Sequence, residues 1–151
     1  MNKKPRDHDF NENLRRLFNE EKWEDRAYAA RNLGYMRDGR AVNLLVKALK
    51  SEKNPSVINR IIEALGRIGN PKATMSIIEV LKREVDREFI DKMRLFYIIE
   101  SLKKIGDKRA LAYLNILFNS NDTEIKSLTL DAFDCIDPHW QDNIEKEMTN
   151  L

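Results

Sequence analysis

The sequence predicts an all-α fold, a solenoid of stacked helix pairs, from its composition and from an internal repeat. The 151 residues are 42% hydrophobic and 34% charged, with only five glycines and four prolines. No segment alternates apolar and polar residues as a half-buried strand would. One phrase occurs three times, at residues 36–42, 68–74 and 105–111. A phrase that recurs at nearly constant spacing is typical of stacked-repeat proteins.

The spacing of this phrase predicts one insertion. Met36, Ile68, Ile105 and the weaker fourth copy at Ile136 are separated by 32, 37 and 31 residues. The longer middle value indicates about five or six additional residues, which we place near residues 82–92. Insertions in repeat proteins fall on one face and are often used for binding.

Each repeat carries the signals of two helices. In the second unit, Asn54 and Pro55 provide an N-cap and a proline in the first turn. Apolar residues at three- and four-residue spacing follow to Ile68, and Gly69 suits a left-handed C-terminal cap. The same signals predict about nine helices: 11–20, 23–36, 41–50, 55–68, a helix from 71, 89–105, 110–118, 125–136 and a last one from 138.

The two ends of the chain read as polar caps. Residues 1–9 are expected to be a disordered basic tail and residues 10–151 a single repeat domain. Trp23 and Trp140 lie at helix starts near the ends, where we expect them to pack against the neighbouring repeat. Cys135, the single cysteine, is expected to be a small buried side chain.

Charge and motif content narrow the class of function. The 27 basic and 25 acidic residues leave a net charge of +2, which argues mildly against nucleic acid as the main partner. The sequence shows no signal peptide, no apolar run long enough to span a membrane and no metal-ligand spacing. It also lacks a nucleophile–base pair and a phosphate loop. We therefore expect a cytoplasmic protein that is not an enzyme and that has no cofactor, no metal and no membrane partner.

The repeats resemble a known family. Residues 23–34, with Arg26, match the first half of a Val-Arg-x-x-Ala-Ala-x-Ala-Leu-Gly-x-Ile-Gly-Asp-x-Arg-Ala motif, and residues 64–73 and 105–110 match its second half. Over about residues 10–150 the chain is similar to HEAT-like repeats of the phycobilin-lyase type. The resemblance implies a right-handed superhelix of about four HEAT-like helix pairs.

The chain departs from this family at two kinds of position. Ile58, Leu95 and Lys126 stand where the family repeats its arginine, and Arg37 and Asp137 replace the turn glycine. The family's Arg and Asp side chains tie adjacent repeats together. We expect those ties to be incomplete here, with burial of Ile58 and Leu95 as a substitute.

The resemblance also implies a binding face. In HEAT-like solenoids the second helix of each unit lines the concave side, and the motif's variable positions then give the candidate partner-binding residues. These are Tyr28, Arg31, Tyr35, Asn59, Arg60, Glu63, Arg67, Phe96, Tyr97, Glu100 and Lys104. Tyrosine and arginine are enriched at interface hot spots.

Two features of these positions have alternative interpretations. Phe96 and Tyr97 either belong to the binding surface or pack into the core beside the insertion. Acid–base pairs four residues apart are expected at Glu63–Arg67 and at Glu100–Lys104, either as ordinary helix-surface pairs or as a stripe that selects a partner by charge.

The leading prediction is a non-catalytic protein–protein interaction or scaffold module that binds a protein or peptide on its concave face. Nucleic-acid binding is a second hypothesis, in which Arg31, Arg60, Arg67 and Lys104 contact phosphates and Tyr28, Tyr35 and Tyr97 stack on bases. A third is an accessory subunit of an enzyme complex, such as a chromophore-lyase partner. A homo-oligomer built on the aromatic residues is a further alternative.

Overall fold

The computed structural model describes the backbone of residues 7–149 and the side chains of residues 9–144. Within that backbone range every regular element is a helix, so the predicted all-α fold is confirmed. Nine α-helices occur in this range: α1 (Asp7–Asn19), α2 (Trp23–Met36), α3 (Val42–Ser51), α4 (Pro55–Ile68), α5 (Thr74–Val85), α6 (Lys92–Ile105), α7 (Leu111–Leu114), α8 (Thr123–Ile136) and α9 (Trp140–Thr149).

The helices stack as antiparallel pairs in two layers. The pairs are α1–α2, α3–α4, α5–α6 and α7–α8, and α9 follows the last pair. Helices α2, α4, α6 and α8 pack directly on one another along the stack, whereas contacts between α1, α3, α5 and α7 are sparse. The predicted solenoid is therefore confirmed. We call the closely packed α2–α4–α6–α8 layer the inner layer.

The repeated phrase encodes the turn between the two layers. The residue after α2, α4 or α6 adopts a left-handed conformation, at Arg37 (φ 51°), Gly69 (φ 75°) and Gly106 (φ 73°). The next residue is Asp38, Asn70 or Asp107, whose side chain accepts a hydrogen bond from the N–H two residues ahead. A single turn of 3₁₀ helix then leads into the following α-helix.

Glycine allows the inner layer to pack closely. A Cβ atom on Gly34 would lie 2.8 Å from the Cα of Ala64, and one on Gly66 would lie 2.7 Å from the Cα of Ser101. Both distances are shorter than real Cβ contacts, so no larger residue fits without moving a helix. The Leu-Gly of the repeat thus sets how closely α2, α4 and α6 approach.

Several predicted boundaries differ from the structure. Helix α1 begins at Asp7, inside the predicted tail, and residues 1–6 of that tail lie outside the described residues. Helix α6 begins at Lys92 and not at Phe89, because the Asp91 side chain caps the N–H groups of Met93 and Arg94. The predicted helix 110–118 is α-helical only over Leu111–Leu114 and continues as 3₁₀ helix over Asn115–Asn119.

The expected packing of the terminal aromatics is confirmed at one end only. Trp140 packs on Phe118 and Phe133, with ring centroids 5.7 and 5.1 Å away. Trp23, in contrast, is 42% exposed. The prediction for Cys135 was wrong: the thiol side chain is exposed on α8, since it points away from the face that carries Phe133 and Ile136.

Candidate partner-binding groove

A groove of about 310 Å³ runs along the inner layer between α4, α6 and α8. It contains six of the predicted binding residues, together with Met93, Ser101 and Leu128. The predicted residues that line it are Glu63, Arg67, Phe96, Tyr97, Glu100 and Lys104.

Next to the groove, on helix α6, the repeat loses its glycine. Lys103 occupies on α6 the repeat position of Gly34 and Gly66, and α6 and α8 pack less extensively than α2 and α4 do. The Lys103 ammonium instead reaches across to Asp131 of α8, at 3.0 Å. An ion pair between two side chains thus takes the place of the close glycine contact at the α6–α8 interface.

The floor of the groove is apolar. Phe96 and Tyr97 are half-buried, packing against the hydrophobic core while they line the groove. Packing against the core is thus confirmed for both residues, and their role in a binding surface stays a prediction. Met93 stands one turn away and is 54% exposed, and Leu128 of α8 faces it across the groove. An exposed methionine among aromatics forms an adaptable apolar surface.

The charged side chains beside the groove are mostly paired. Glu63 accepts a hydrogen bond from Arg60 at 3.0 Å and lies 3.6 Å from Nε of Arg67, which confirms the predicted Glu63–Arg67 pair. The predicted Glu100–Lys104 pair is wrong, because Glu100 is bound at 3.2 Å by Lys103. Lys104 is exposed and makes no ion pair with a described residue.

Arg67 retains an unused donor. Its Nε–H is buried and has no hydrogen-bond acceptor among the described residues, since the Glu63 carboxylate is beyond hydrogen-bond distance. Buried donors of this kind normally have a partner. Arg67 and Lys104 occupy equivalent repeat positions on neighbouring helices, so they lie side by side at one end of the groove.

The surface of α2 continues the groove with aromatic and cationic groups. Tyr28 and Tyr35 are 57% and 51% exposed. Arg31 donates a hydrogen bond to the Tyr35 hydroxyl at 3.5 Å, and the Arg67 guanidinium lies 4.4 Å from the Tyr35 ring centroid. The Arg31 hydrogen bond and the charges of both arginines lower the pKa of Tyr35 below its ordinary value. These contacts link α2 to α4 across the inner layer.

Asn59 is a predicted binding residue with a structural role. Its side-chain oxygen accepts a hydrogen bond from Nε of Arg94, whose Nη2 also donates to the Pro55 carbonyl at 3.2 Å. Arg94 is only 6% exposed and ties α6 to α4. Arg94 lies next to Leu95, the buried residue at the family's arginine position. An arginine shifted by one residue therefore restores the hydrogen-bonded link between adjacent repeats, which we had expected burial of Leu95 to replace. The sequence analysis missed Arg94 because it is one residue out of register.

Comparison of the chain with known proteins finds a match to one family model. A family model described as HEAT repeats matches residues 11–92, more than half of the chain. The match supports HEAT-like repeats in general and does not extend to the phycobilin-lyase subtype. None of the curated proteins compared with the chain matches it. Among the described residues, no helix is long and apolar enough to cross a membrane.

HEAT repeats commonly serve as protein-interaction scaffolds, and the fold is typically non-catalytic. The same repeat accounts for the two inner helices that pack through glycine, for the left-handed turns and for the segment that the family model matches. On these grounds the chain belongs to the HEAT-repeat family.

Proposed function

We propose that the protein is a non-catalytic interaction module that holds a segment of a partner protein on the inner face of the solenoid. One observation carries this proposal: the α4–α6–α8 groove joins an exposed apolar floor to a cation that makes no ion pair with a described residue, Lys104. An apolar centre with a polar rim is the general form of a protein interface.

The groove favours a partner that combines an apolar side chain with a carboxylate. Met93, Phe96 and Leu128 would contact the apolar side chain. The acids beside the groove are already paired, whereas Lys104 is not, so the uncompensated charge is positive. Tyr97 and Lys104 are seven residues apart on α6, which places the two binding regions about 10 Å apart. This distance corresponds to about three residues of an extended peptide.

Nucleic-acid binding is less well supported by this face. Arg60 and Arg67 share the Glu63 carboxylate, and Arg31 is engaged with Tyr35. A phosphate backbone would have to compete for all three arginines. The accessory-subunit and homo-oligomer hypotheses are versions of the present proposal, in which the partner is an enzyme or a second copy. A cytoplasmic location remains part of it, since an exposed unpaired cysteine suits a reducing compartment.

Site-specific photo-crosslinking in the source cell tests the proposal. A photoreactive phenylalanine analogue at Met93 or Tyr35 is expected to cross-link a partner protein, whereas the same analogue at Lys47, exposed on outer helix α3, is not. With the purified partner, Lys104→Glu should weaken binding by roughly tenfold or more, because it replaces the uncompensated cation with a carboxylate. Lys47→Glu makes the same charge change and should leave binding unaltered.

Two outcomes would overturn the proposal. Cross-links from Lys47 as abundant as those from Met93 would place binding outside the inner face. A gel shift with DNA or RNA that is strong at low salt and lost with Lys104→Glu would assign the groove to nucleic acid.

A further inference from the structure

A second cavity, separate from the groove, lies at the edge of the solenoid beside the insertion. It has a volume of about 200 Å³ and forms where α3 and α5 end and α4 and α6 begin. Three arginines line it, Arg83, Arg87 and Arg94, together with Glu52, Glu84 and the apolar side chain of Ile58.

Comparison with the preceding repeat shows why the cavity exists. At the first interface, Arg26 of α2 binds both carboxylate oxygens of Glu52 at the end of α3, at 2.9 and 3.0 Å. The residues 32 positions later are Ile58 and Glu84. Ile58 is shorter than arginine and carries no charge, so the volume that Arg26 fills in the first repeat is open in the second.

Glu84 obtains other partners in place of that missing arginine. Its carboxylate accepts a hydrogen bond from the Asp91 N–H at 2.6 Å and from Nη1 of Arg87 at 3.1 Å. Both donors belong to the inserted segment between α5 and α6. The insertion therefore supplies the hydrogen-bond donors to Glu84, which lacks the arginine partner that Glu52 has in the preceding repeat.

Arg94 is held rigidly at the cavity wall. Nε and Nη2 are committed to Asn59 and to the Pro55 carbonyl, and Nη1 has no partner among the described residues. The residue is 6% exposed, so its charge is largely removed from water. Burial lowers the pKa of Arg94, the charges of Glu84 and Asp91 oppose this shift, and the charges of Arg87 and Arg83 add to it.

The charges around the cavity do not balance. Glu52 is neutralised by Arg26. That leaves one carboxylate, Glu84, for the three guanidinium groups of Arg83, Arg87 and Arg94. Arg83 makes no ion pair with a described residue. The lining residues thus carry an excess of two positive charges, which the nearby Asp91 carboxylate at the N-cap of α6 reduces to one, whereas the first repeat has an evenly matched pair.

We propose that this cavity binds a phosphate group, either as free phosphate or as a phosphate monoester. A phosphate group carries close to two negative charges at pH 7 and would be attracted by this positive excess. A guanidinium N–H makes a charge-assisted hydrogen bond to a phosphate oxygen, and Nη1 of Arg94 is not committed to a described residue. Arg94 is already oriented by Asn59 and Pro55, which reduces the conformational entropy lost on binding.

Titration of the whole chain with inorganic phosphate at pH 7.5 and constant ionic strength, followed by NMR of the arginine Nε–H groups, tests this site. Saturable shifts are expected at Arg83, Arg87 and Arg94. Arg83→Gln together with Arg87→Gln should weaken phosphate binding by about tenfold or more, since hydrogen bonds to charged groups are lost. Both side chains are exposed, and Glu84 keeps its hydrogen bond from the Asp91 N–H in the double variant, so the fold should survive. Lys126→Gln, an exposed change on α8, is the matched control.

Parallel titrations with O-phosphoserine and with acetate identify the ligand. Binding of both phosphate and phosphoserine supports a monoester site, and binding of inorganic phosphate only supports a site for the free ion. Acetate binding as tight as phosphate would overturn the assignment to phosphate. Equal phosphate affinity in the double variant and in the wild type would overturn the site itself. Neither result bears on the groove, which shares no lining residue with this cavity.

Discussion

Between α2 and α4 the inner layer closes on a glycine, whereas between α6 and α8 it is bridged by a lysine. Gly34 lies so close to Ala64 that no side chain fits between the two helices. Lys103, at the same repeat position, extends an ammonium group to Asp131. The matched family segment ends at residue 92, so the glycine interface lies within it and the lysine interface beyond it.

The C-terminal end closes by a different kind of packing. Asp137, at the position of the left-handed turn residues, has an extended backbone with φ −144°. Phe118, Phe133 and Trp140 form an aromatic cluster there instead. An internal repeat must fit neighbours on both sides, which requires a uniform close contact. The last repeat has one neighbour, so larger side chains can seal it without the repeated residues.

The substitution Phe133→Ala should have the largest effect on stability, and this effect should be confined mainly to the C-terminal region. Phe133 is 3% exposed and its ring centroid lies 4.6 Å from that of Phe118. Removal of a buried phenylalanine ring typically costs about 3–5 kcal/mol in the free energy of unfolding. Because each repeat contacts only its neighbours, hydrogen exchange should accelerate in α8 and α9 far more than in α2 and α4.

Phe18→Ala is the matched control for this change. Phe18 lies on α1 and is 39% exposed, so its truncation should cost less than half as much. Exchange that accelerates equally along the whole chain in Phe133→Ala would contradict the separate closure of the C-terminal end.

A smaller effect is expected from Gly66→Ala within the family segment. Alanine normally favours a helix over glycine by about 1 kcal/mol. Here the new methyl group would lie 2.7 Å from the Cα of Ser101, a backbone atom that moves only with α6. We expect a net loss of about 1–3 kcal/mol in chemical denaturation.

Gly39→Ala provides the control for Gly66→Ala. A Cβ atom on Gly39 would meet no atom within 4 Å, and the backbone there is not left-handed. The change should alter stability by no more than about 0.5 kcal/mol. A Gly66→Ala protein as stable as wild type would show that the inner layer is not set by glycine contact.

The features that recur in each repeat could be predicted from the sequence. The contacts that replace a missing repeat residue could not. Gly69, Asn54 and the turn phrase act locally, so spacing and residue type predict them directly. Arg94 acts 35 residues away on Asn59, and nothing in its own segment indicates that contact. The lysine that Glu100 binds was predicted wrongly because Lys103 and Lys104 both lie within reach on one helix.

Six of the nine residues that line the candidate groove were predicted from the sequence, and the shape of the groove was not. The register placed Phe96, Tyr97 and Lys104 on one face, and the structure brings all three to one groove. The shape of that groove depends on how closely α4, α6 and α8 approach one another. The repeat register of a single sequence does not give these distances between neighbouring helices.

The smallest expected effect concerns the turns after α4 and α6. Asn70 and Asp107 occupy the same capping position in these two turns. Each side chain accepts a hydrogen bond from the N–H two residues ahead, at 2.9 and 3.0 Å. Asp107 also binds the Arg109 guanidinium at 2.7 Å. These hydrogen bonds lower the pKa of Asp107 from 3.8 to about 2. A carboxyl with a lowered pKa stabilises the fold above its unfolded pKa, and that stabilisation is lost as the pH falls from 3.8 towards 2.

Asp107→Asn should keep the cap and remove this titration. Asparagine and aspartate are similar N-caps, so stability at pH 7 should change by no more than about 1 kcal/mol. The slope of unfolding free energy against pH between 3.8 and 2 should become shallower, without vanishing, since Glu12 also has a pKa of about 2. The reciprocal Asn70→Asp should steepen the slope in the same window, because a carboxylate would then accept the Lys72 N–H. Unchanged slopes in both variants would mean that the two turns are not electrostatically distinct.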